Sequence, residues 1–245
     1  MTFDHDKFWL NPTQAVLVVI DVQAKLTPAM PHKVYERMRA TTAMLVEAAG
    51  LLGIPVVTTE QYPQGIGHTV PELAAACAGG VIEKTSFGCC GEPAFLARLA
   101  QLGRRQVIVT GMEAHVCVYQ TVLGLLHADY HVHLVRDAIC SRHKEDFLAG
   151  VSNAARAGAL AVTAEMVLFE LMVRAGSAND PAGKEGLANL TARMLIEGSF
   201  GNPKNPVTKE RLAEITRPWG EAALPQVLVD KQTTTFSMRV PRDAF

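Results

Sequence analysis

Three side chains that could perform hydrolytic chemistry follow three separate apolar stretches of this 245-residue chain. Asp21 ends one stretch, Lys84 ends another, and Cys117 follows a third after a short turn. A carboxylate can move a proton, a thiol can attack an electrophilic carbon, and a nearby cation stabilises both groups as anions. The chemistry that this set could perform is acyl transfer to water.

Cys117 occupies a position where a thiol can be activated. It opens a predicted helix directly after the predicted strand 106–110, and the free N–H groups and partial positive charge of a helix N-terminus favour the thiolate. Backbone N–H groups of the tight turn 111–117 could also hold an oxyanion. A lone cysteine is more often an inert buried residue, so the hypothesis depends on the two charged residues nearby.

The elements that must position these side chains alternate along the chain. Short β-branched runs predict strands, and longer segments with a helical period predict helices, which is typical of a mostly parallel sheet covered by helices. The carboxyl ends of parallel strands meet at one edge of a sheet, so we expect Asp21, Lys84 and Cys117 to lie together there. The predicted strands are 15–21, 54–59, 81–84, 106–110, 131–135 and 159–163, and the predicted helices are 34–52, 92–102, 116–129, 144–157 and 164–174.

Residues near the same edge are candidates for substrate binding. The segment 61–69 is rich in glycine and proline and has no clear period, which predicts a loop that lines the pocket. Gln61 and Tyr62 from this loop, with Phe87 and His115 from other segments, are candidate substrate-binding residues. Each also has a simpler interpretation as a core aromatic or an exposed polar side chain.

Composition narrows the range of partners. The formal net charge is −1 and no long block of like charge occurs, so neither nucleic acid nor a membrane is expected as a partner, and a small-molecule substrate is. The N-terminus has early acidic residues and no sustained apolar segment, which predicts a cytoplasmic protein. Five cysteines do not form the dense pattern of a secreted disulfide scaffold, so reduced thiols are expected.

The chain is long enough for one α/β domain and an appendage. We assign residues 1–176 to the domain and residues 177–245 to a C-terminal extension, because 178–183 reads as a break. The extension is predicted to contain short helices at 187–195 and 209–215 and extended pieces at 226–229 and 233–238. It carries no catalytic motif, and a role in oligomerisation is the hypothesis for it.

Three motifs together resemble the isochorismatase-like cysteine hydrolases, over about residues 15–176. They are Val19-Ile-Asp-Val-Gln23, Glu83-Lys-Thr-Ser86 and Gly111-Met-Glu-Ala-His-Val-Cys-Val-Tyr-Gln-Thr121. The resemblance implies a three-layer α/β/α, Rossmann-like fold with a parallel six-stranded sheet and a triad of Asp21, Lys84 and Cys117. It also implies a cis peptide before Glu113, and an oxyanion hole formed by the amides of Glu113 and Cys117.

One departure from this family bears on metal binding. Its nicotinamidases carry a metal-binding Asp-x-His after the second strand, where this chain has Glu60-Gln-Tyr62. A phenol is a poor substitute for an imidazole ligand, and His68 in the same loop is alone, so neither a metal nor another cofactor is expected. Because a thiolate with an oxyanion hole serves acyl chemistry directly, cleavage of an amide or ureido C–N bond is favoured over vinyl-ether cleavage.

Three functional hypotheses follow from the sequence. The leading one is a cofactor-free cysteine hydrolase that cleaves a small amide, ureido or related compound through a thioester on Cys117. The first alternative is a binding or assembly module that keeps the fold without turnover. The second is a thiol redox sensor, in which Cys89 or Cys90 resolves an oxidised Cys117. The family commonly forms oligomers, and a homo-oligomer is expected here.

Overall fold

The computed structural model describes residues 5–173 and four short strands farther along the chain. The chain divides into two compact units, Met1–Glu170 and Leu171–Phe245. All of the candidate site residues belong to the first unit. The assignment of residues 1–176 and 177–245 to separate roles stays a prediction.

Six strands form one sheet in the first unit. They are β1 (Ala15–Ile20), β2 (Val56–Gln61), β3 (Val81–Lys84), β4 (Gln106–Met112), β5 (His131–Cys140) and β6 (Leu160–Val162). Every neighbouring pair is parallel, and the strand order is β3-β2-β1-β4-β5-β6. The chain starts in the middle of the sheet, builds outward to one side, then crosses back and builds the other side. The carboxyl ends of all six strands therefore lie at a single edge.

Helices cover both faces of this sheet. They are α1 (His5–Phe8), α2 (His32–Leu51), α3 (Pro63–Ile66), α4 (Pro93–Leu102), α5 (Tyr119–His127), α6 (Lys144–Ala157) and α7 (Ala164–Val173). Buried side chains of α4, α5 and α6 form one core cluster with the sheet, whereas α2 packs on β5 and β1 with a separate set of buried residues. The three-layer α/β/α fold is thus confirmed. None of the helices in the described part of the chain is both long enough and apolar enough to cross a bilayer.

The burial of β1 explains why its sequence is continuously apolar. All six of its residues are buried, because helices cover both faces of the parallel sheet. Val16, Val18 and Ile20 belong to the core cluster that includes α4, α5 and α6. Strand pleating sends Leu17 and Val19 to the opposite face. The strand is held from both sides, and it ends at Asp21.

The end of the fifth strand and the loop after the second strand differ from their predictions. The fifth strand was predicted to end at Val135 but continues to Cys140, because the β4–β5 register shifts and pairing resumes beyond the irregularity. Arg136 and Asp137 fall within that irregularity and interrupt the apolar pattern. The predicted loop 61–69 contains a single helical turn, α3, and Thr69 forms an isolated antiparallel bridge with Gln23.

The second unit is described only through two strand pairs. Strands β7 (Phe200–Asn202) and β8 (Asn205–Val207) form one antiparallel pair, and β9 (Gln226–Val229) and β10 (Thr234–Ser237) form another. The predicted extended pieces at 226–229 and 233–238 are confirmed. The predicted helices at 187–195 and 209–215 lie outside the described residues.

A buried histidine on β5 predicts loss of stability in mild acid. His133 is fully buried. Burial, and then the charge of His131, lower the pKa of His133 from 6.5 to about 4, although a hydrogen bond with the Lys7 backbone acts in the other direction. A pKa lowered by folding means that the neutral form is favoured in the folded protein. The neutral His133 ring contributes its full stability at a pH above the pKa that His133 has in the unfolded protein. That stability is lost as the pH falls toward the lower pKa that His133 has in the folded protein.

We therefore expect the free energy of unfolding to fall by about 2 kcal/mol between about pH 7 and about pH 5. Urea denaturation followed by circular dichroism at each pH measures it. His133→Leu should remove most of this dependence, while His127→Gln on α5 should keep it. Parallel pH profiles for the parent and His133→Leu would contradict the assignment.

Candidate active site

A buried ion pair between Asp21 and Lys84 lies at the carboxyl edge of the sheet. Asp21 directly follows β1, and Lys84 is the last residue of β3, two strands away. Lys84 Nζ lies 2.6 Å from Asp21 Oδ2, and both side chains are completely buried. Thr59 on the intervening strand β2 donates a hydrogen bond from Oγ1 to Asp21 Oδ1 at 2.8 Å. The long lysine side chain thus reaches past β2 to the aspartate.

Further hydrogen bonds hold the Lys84 ammonium in place. Its Nζ donates to Gln61 Oε1 at 2.8 Å, to the Phe87 carbonyl at 2.9 Å and to the Ser86 carbonyl at 3.2 Å. Gln61 Nε2 in turn donates to the Thr85 carbonyl at 2.9 Å. The cation is therefore surrounded by oxygen acceptors as well as by its carboxylate partner. A buried charge needs such a set of partners to be tolerated.

The connection from β4 to the thiol requires a glycine. Gly111 has φ +116°, and a Cβ atom built there would lie 2.1 Å from the Ile20 carbonyl oxygen of β1. Both the backbone conformation and the space exclude other residues. The Met112–Glu113 peptide bond that follows is cis, as the family resemblance implies. The chain then enters a π-helical turn, Ala114–Val118, that carries Cys117.

The position of Cys117 differs from the predicted one. We expected it to open a helix at residue 116, but the helical segment begins with the π-helical turn and continues as α5 from Tyr119. Cys117 is therefore the fourth residue of that segment, not the first. Its side chain is buried, with 7% of the residue exposed, and its carbonyl accepts a hydrogen bond from Thr121 Oγ1 at 2.6 Å.

The expected bias of Cys117 toward the thiolate is not supported. Burial is the largest cause that raises the pKa of Cys117 well above its ordinary value, followed by the negative charge of Asp21. Lys84 acts in the opposite direction, and a hydrogen bond between the thiol and Asp21 raises the pKa further. Burial and the Asp21 carboxylate thus favour the neutral thiol, and Lys84 favours the thiolate. The structure brings Asp21, Lys84 and Cys117 together in one cluster.

Glu113 turns its side chain away from this cluster. Its Oε2 accepts hydrogen bonds from the Arg142 backbone amide and from Arg142 Nε, both at 3.1 Å. This pair ties the turn before Cys117 to the segment between β5 and α6. The residue can contribute to an oxyanion hole only through its backbone N–H, which is the role that the family resemblance implies.

The four candidate substrate-binding residues do not behave alike. Gln61 touches Lys84 directly, and Phe87 does so through its carbonyl while its residue is 56% exposed. Tyr62 is 55% exposed, has φ +36° and lies against Gly65, where an added Cβ would lie 2.3 Å from the ring. The imidazole of His115 is hydrogen-bonded to Ser141 at 3.0 Å and so lies toward β5 and α6.

Two residues outside the predicted triad, Gln23 and Cys89, lie beside the site. Gln23 is fully buried, accepts the Gln61 amide at 2.7 Å, and donates from Nε2 to the carbonyls of Gln61 and Gly67. Cys89 is fully buried, and its Sγ lies 3.6 Å from Thr59 Oγ1. Gln23 stands in the first quoted motif, two residues after Asp21, so pleating places it near the edge. Cys89 follows the Lys84 strand in the chain, which is consistent with the redox hypothesis that needs it near Cys117.

Glu60, the first residue of the Glu60-Gln-Tyr62 segment, organises the loop that follows β2. Glu60 Oε1 accepts hydrogen bonds from the Thr69 amide at 2.6 Å and hydroxyl at 2.8 Å, and its Oε2 lies 2.9 Å from His68 Nδ1. Burial alone would raise the pKa of Glu60, but these bonds outweigh it and lower the pKa. Among the residues that the structure describes, no group of three or more His, Cys, Asp and Glu side chains could hold a metal ion.

The fold and this edge place the chain among the parallel α/β proteins whose ligand sites lie beyond the strand ends. The isochorismatase domain model matches residues 15–166. Isochorismatase domain-containing protein 1 of Danio rerio is 38% identical over 164 residues, 66% of this chain and 57% of that protein. Isochorismatase domain-containing protein 2 of Bos taurus is 38% identical over 176 residues, 71% of this chain and 81% of that protein. The chain belongs to the isochorismatase family.

Solved structures agree on the fold. The MAR1 ribonuclease of Caenorhabditis elegans has a TM-score of 0.64 and 33% identity, covering 76% of this chain and 92% of that one. An octameric hydrolase of unknown specificity from Escherichia coli has a TM-score of 0.62 and 24% identity, covering 67% of this chain and 82% of that one, and is alike in fold. The chain spans less than two thirds of the length of the first curated relatives it matches, 57% and 60%.

Proposed function

We propose that this protein is a cysteine hydrolase that cleaves a small amide, ureido or related substrate through a thioester on Cys117. The observation that carries the proposal is the buried Lys84–Asp21 ion pair at the carboxyl edge, beside a buried Cys117 thiol whose pKa responds to both charges. A general base must lie close to the proton that it removes, and Asp21 is near enough for its charge to raise the pKa of Cys117. The small, largely buried cluster suits a small substrate.

Asp21 is the only group that carries a proton in the proposed reaction. Asp21 takes the Cys117 proton as sulfur attacks the substrate carbonyl carbon, and the backbone N–H groups of Glu113 and Cys117 hold the resulting oxyanion. Asp21 then returns the proton to the leaving nitrogen, the C–N bond breaks, and a thioester remains. Water attacks the thioester, giving its proton to Asp21, and the acid product leaves as sulfur regains the proton.

Lys84 has an electrostatic role in this scheme. Its charge lowers the pKa of Cys117 against the effects of burial and of Asp21, so it makes proton transfer from sulfur to carboxylate less costly. Gln61 and the Phe87 carbonyl hold the ammonium beside Asp21. For substrate contacts we propose Gln61 and the exposed rings of Tyr62 and Phe87, with His115 at the side nearer β5.

A thiol redox function has one observation in its favour and one against it. The charge of Cys89 contributes to the raised pKa of Cys117, so the two thiols are close enough to interact. However, burial raises the pKa of Cys89 to about 11, and the pKa of Cys117 is raised as well. Oxidant sensing depends on a thiolate at neutral pH, which neither residue supplies. The hydrolase therefore stays ahead of the sensor, and the intact triad disfavours an idle binding module.

Trapping an acyl-enzyme tests the proposed function. A panel of small primary amides, ureido acids, vinyl ethers and a short RNA oligonucleotide is mixed with the protein, and intact-mass spectrometry follows each reaction. We expect an acyl adduct on Cys117 with an amide or ureido compound, and its absence in Cys117→Ala. Cys90→Ala is the matched control and should retain the adduct. Turnover of the panel without any adduct on Cys117, or cleavage of the RNA alone, would overturn the proposal.

We also propose that the chain forms a homo-oligomer. The sequence of α7, AEMVLFELMV, carries more apolar residues than a single buried stripe needs, and the octameric Escherichia coli hydrolase has the same fold. Light scattering at micromolar concentration is the check, and a monomer there would refute it.

A further inference from the structure

A cavity of about 630 Å³ lies on the β5 side of the carboxyl edge, apart from the Asp21–Lys84–Cys117 cluster. Its lining comes from the start of α2, the end of β5, the start of α6 and Thr163 before α7. The volume falls within the usual range of small-molecule sites, about 300–1,000 Å³. None of the predicted catalytic or substrate-binding residues lines it.

The charged side chains that line this cavity are mostly positive. Four exposed cationic side chains line it: Lys33, Arg37, Arg136 and Lys144. Across the part of the chain that the structure describes, no ion pair or side-chain hydrogen bond occupies any of the four. The one carboxylate in the lining, Asp137, is engaged by the Ala164 amide at 2.9 Å. Cations collected without counterions favour an anionic ligand.

Two helix starts add to this positive potential. The N-cap residues of α2 and α6 are Pro31 and His143, and neither helix start has a side-chain cap. The first backbone N–H groups of both helices are therefore available to an anion. The partial positive charge at each helix N-terminus favours such an anion further. Glu145 and Asp146 follow in the first turn of α6 and reduce this effect, but neither lines the cavity, and Asp146 lies 3.8 Å from His115 Nε2.

The remaining wall is apolar. Val34, Ile139, Phe147 and Leu148 line the cavity, and Val34 and Leu148 are 44% and 49% exposed. Large aliphatic side chains beside four cations suit a ligand with both kinds of surface. We propose that this cavity binds a small organic anion, a carboxylate or phosphate carried on an apolar or aromatic body.

One contact links the cavity to the segment that carries the thiol. Ser141 lines the cavity, and its Oγ lies 3.0 Å from His115 Nδ1. His115 is two residues before Cys117 in the chain. An occupant can therefore bias the position of His115. Binding itself does not depend on the proposed hydrolase activity, so the two proposals can fail separately.

Isothermal titration calorimetry with 4-phenylbutyrate as the probe tests this inference on the full-length chain. We expect one site per chain with a Kd of about 1 mM or tighter, weakened by added salt because the cations are exposed. The neutral 4-phenylbutanol should bind at least about tenfold more weakly. The double variant Arg37→Gln/Lys144→Gln should weaken phenylbutyrate binding by about tenfold or more, the size of one charge-assisted hydrogen bond.

Lys25→Gln/Arg156→Gln is the matched control, because it also removes two positive charges, both from exposed positions outside the cavity, and it should leave the affinity unchanged. Equal binding of acid and alcohol, or no binding in the parent, would overturn the proposal. So would tighter binding of a single-stranded oligonucleotide that the double variant abolishes, since that outcome assigns the surface to nucleic acid. If the double variant dissociates an oligomer in light scattering and phenylbutyrate does not bind, the cavity belongs to a contact between copies.

Discussion

Substituting Asp21→Asn should change the two reactions of Cys117 in opposite directions. Asp21 raises the pKa of Cys117 through its charge and through a hydrogen bond, whereas Lys84 lowers it. The amide removes both raising effects and leaves Lys84 in place, so the pKa of Cys117 should fall. Alkylation by iodoacetamide near neutral pH should become about tenfold faster or more. Hydrolysis of the substrate found by adduct trapping should slow by about 10²–10⁴-fold, the usual contribution of a general base.

Site-resolved mass spectrometry gives the alkylation rate of each cysteine as a function of pH. Asp129→Asn is the matched control, because Asp129 is exposed on the surface and has φ +62°, which asparagine tolerates. The control should leave both reactions unchanged. The amide also leaves Lys84 without its ion-pair partner, so both rates are measured where circular dichroism shows the variant folded. Slower alkylation together with slower hydrolysis would contradict the protonated resting thiol, and retained hydrolysis would contradict the role of Asp21 as base.

Substituting Lys84→Met should unfold the protein more easily than any surface change. Lys84 and Asp21 are both completely buried and 2.6 Å apart. Removing one member of such a pair leaves a buried charge without compensation, which costs about 3–5 kcal/mol. The ammonium also donates to Gln61 and to two carbonyl groups, and those acceptors lose their donor. We expect a loss of about that size in the free energy of unfolding by urea, along with loss of hydrolysis.

A second variant separates charge from packing. Asp21→Asn/Lys84→Met contains neither charge, so it should recover most of the lost stability while staying inactive. Lys25→Met is the control for removal of a lysine at the same edge, because Lys25 is exposed and donates to the Gly65 carbonyl. It should cost less than about 1 kcal/mol. A double variant as unstable as Lys84→Met would show that the hydrogen bonds, not the ion pair, dominate the cost.

The sequence predicted most of the sheet because the physics there is local. A parallel strand that is covered on both faces needs consecutive β-branched and apolar residues, so β1 and the centre of β4 appear in the sequence as apolar runs. Where a strand is irregular this signal fails. Arg136 and Asp137 interrupt β5, so its second half was missed. The order of the strands in the sheet, β3-β2-β1-β4-β5-β6, was not predicted and comes from the structure.

The sequence also determined which residues meet at the carboxyl edge. Asp21 and Lys84 end their strands, and the strands of a parallel sheet end at the same side, so their proximity follows from their positions in the chain. The glycine at position 111 is likewise readable as a turn. Residue types and their place relative to strand ends are sufficient for that inference, because neither depends on how helices pack.

Only the tertiary structure determined the direction in which the pKa of Cys117 shifts and which side chains contact one another around the site. Burial depth sets the desolvation that raises the pKa of Cys117, and depth depends on helices distant in sequence. The contacts of Cys89 with Thr59 and of Gln23 with Gln61 also depend on packing between elements that are distant in sequence. Four cations from three elements likewise share one cavity only because α2 and α6 begin at the same end of the sheet. These contacts join residues far apart in the chain, and packing in three dimensions specifies them where sequence patterns do not.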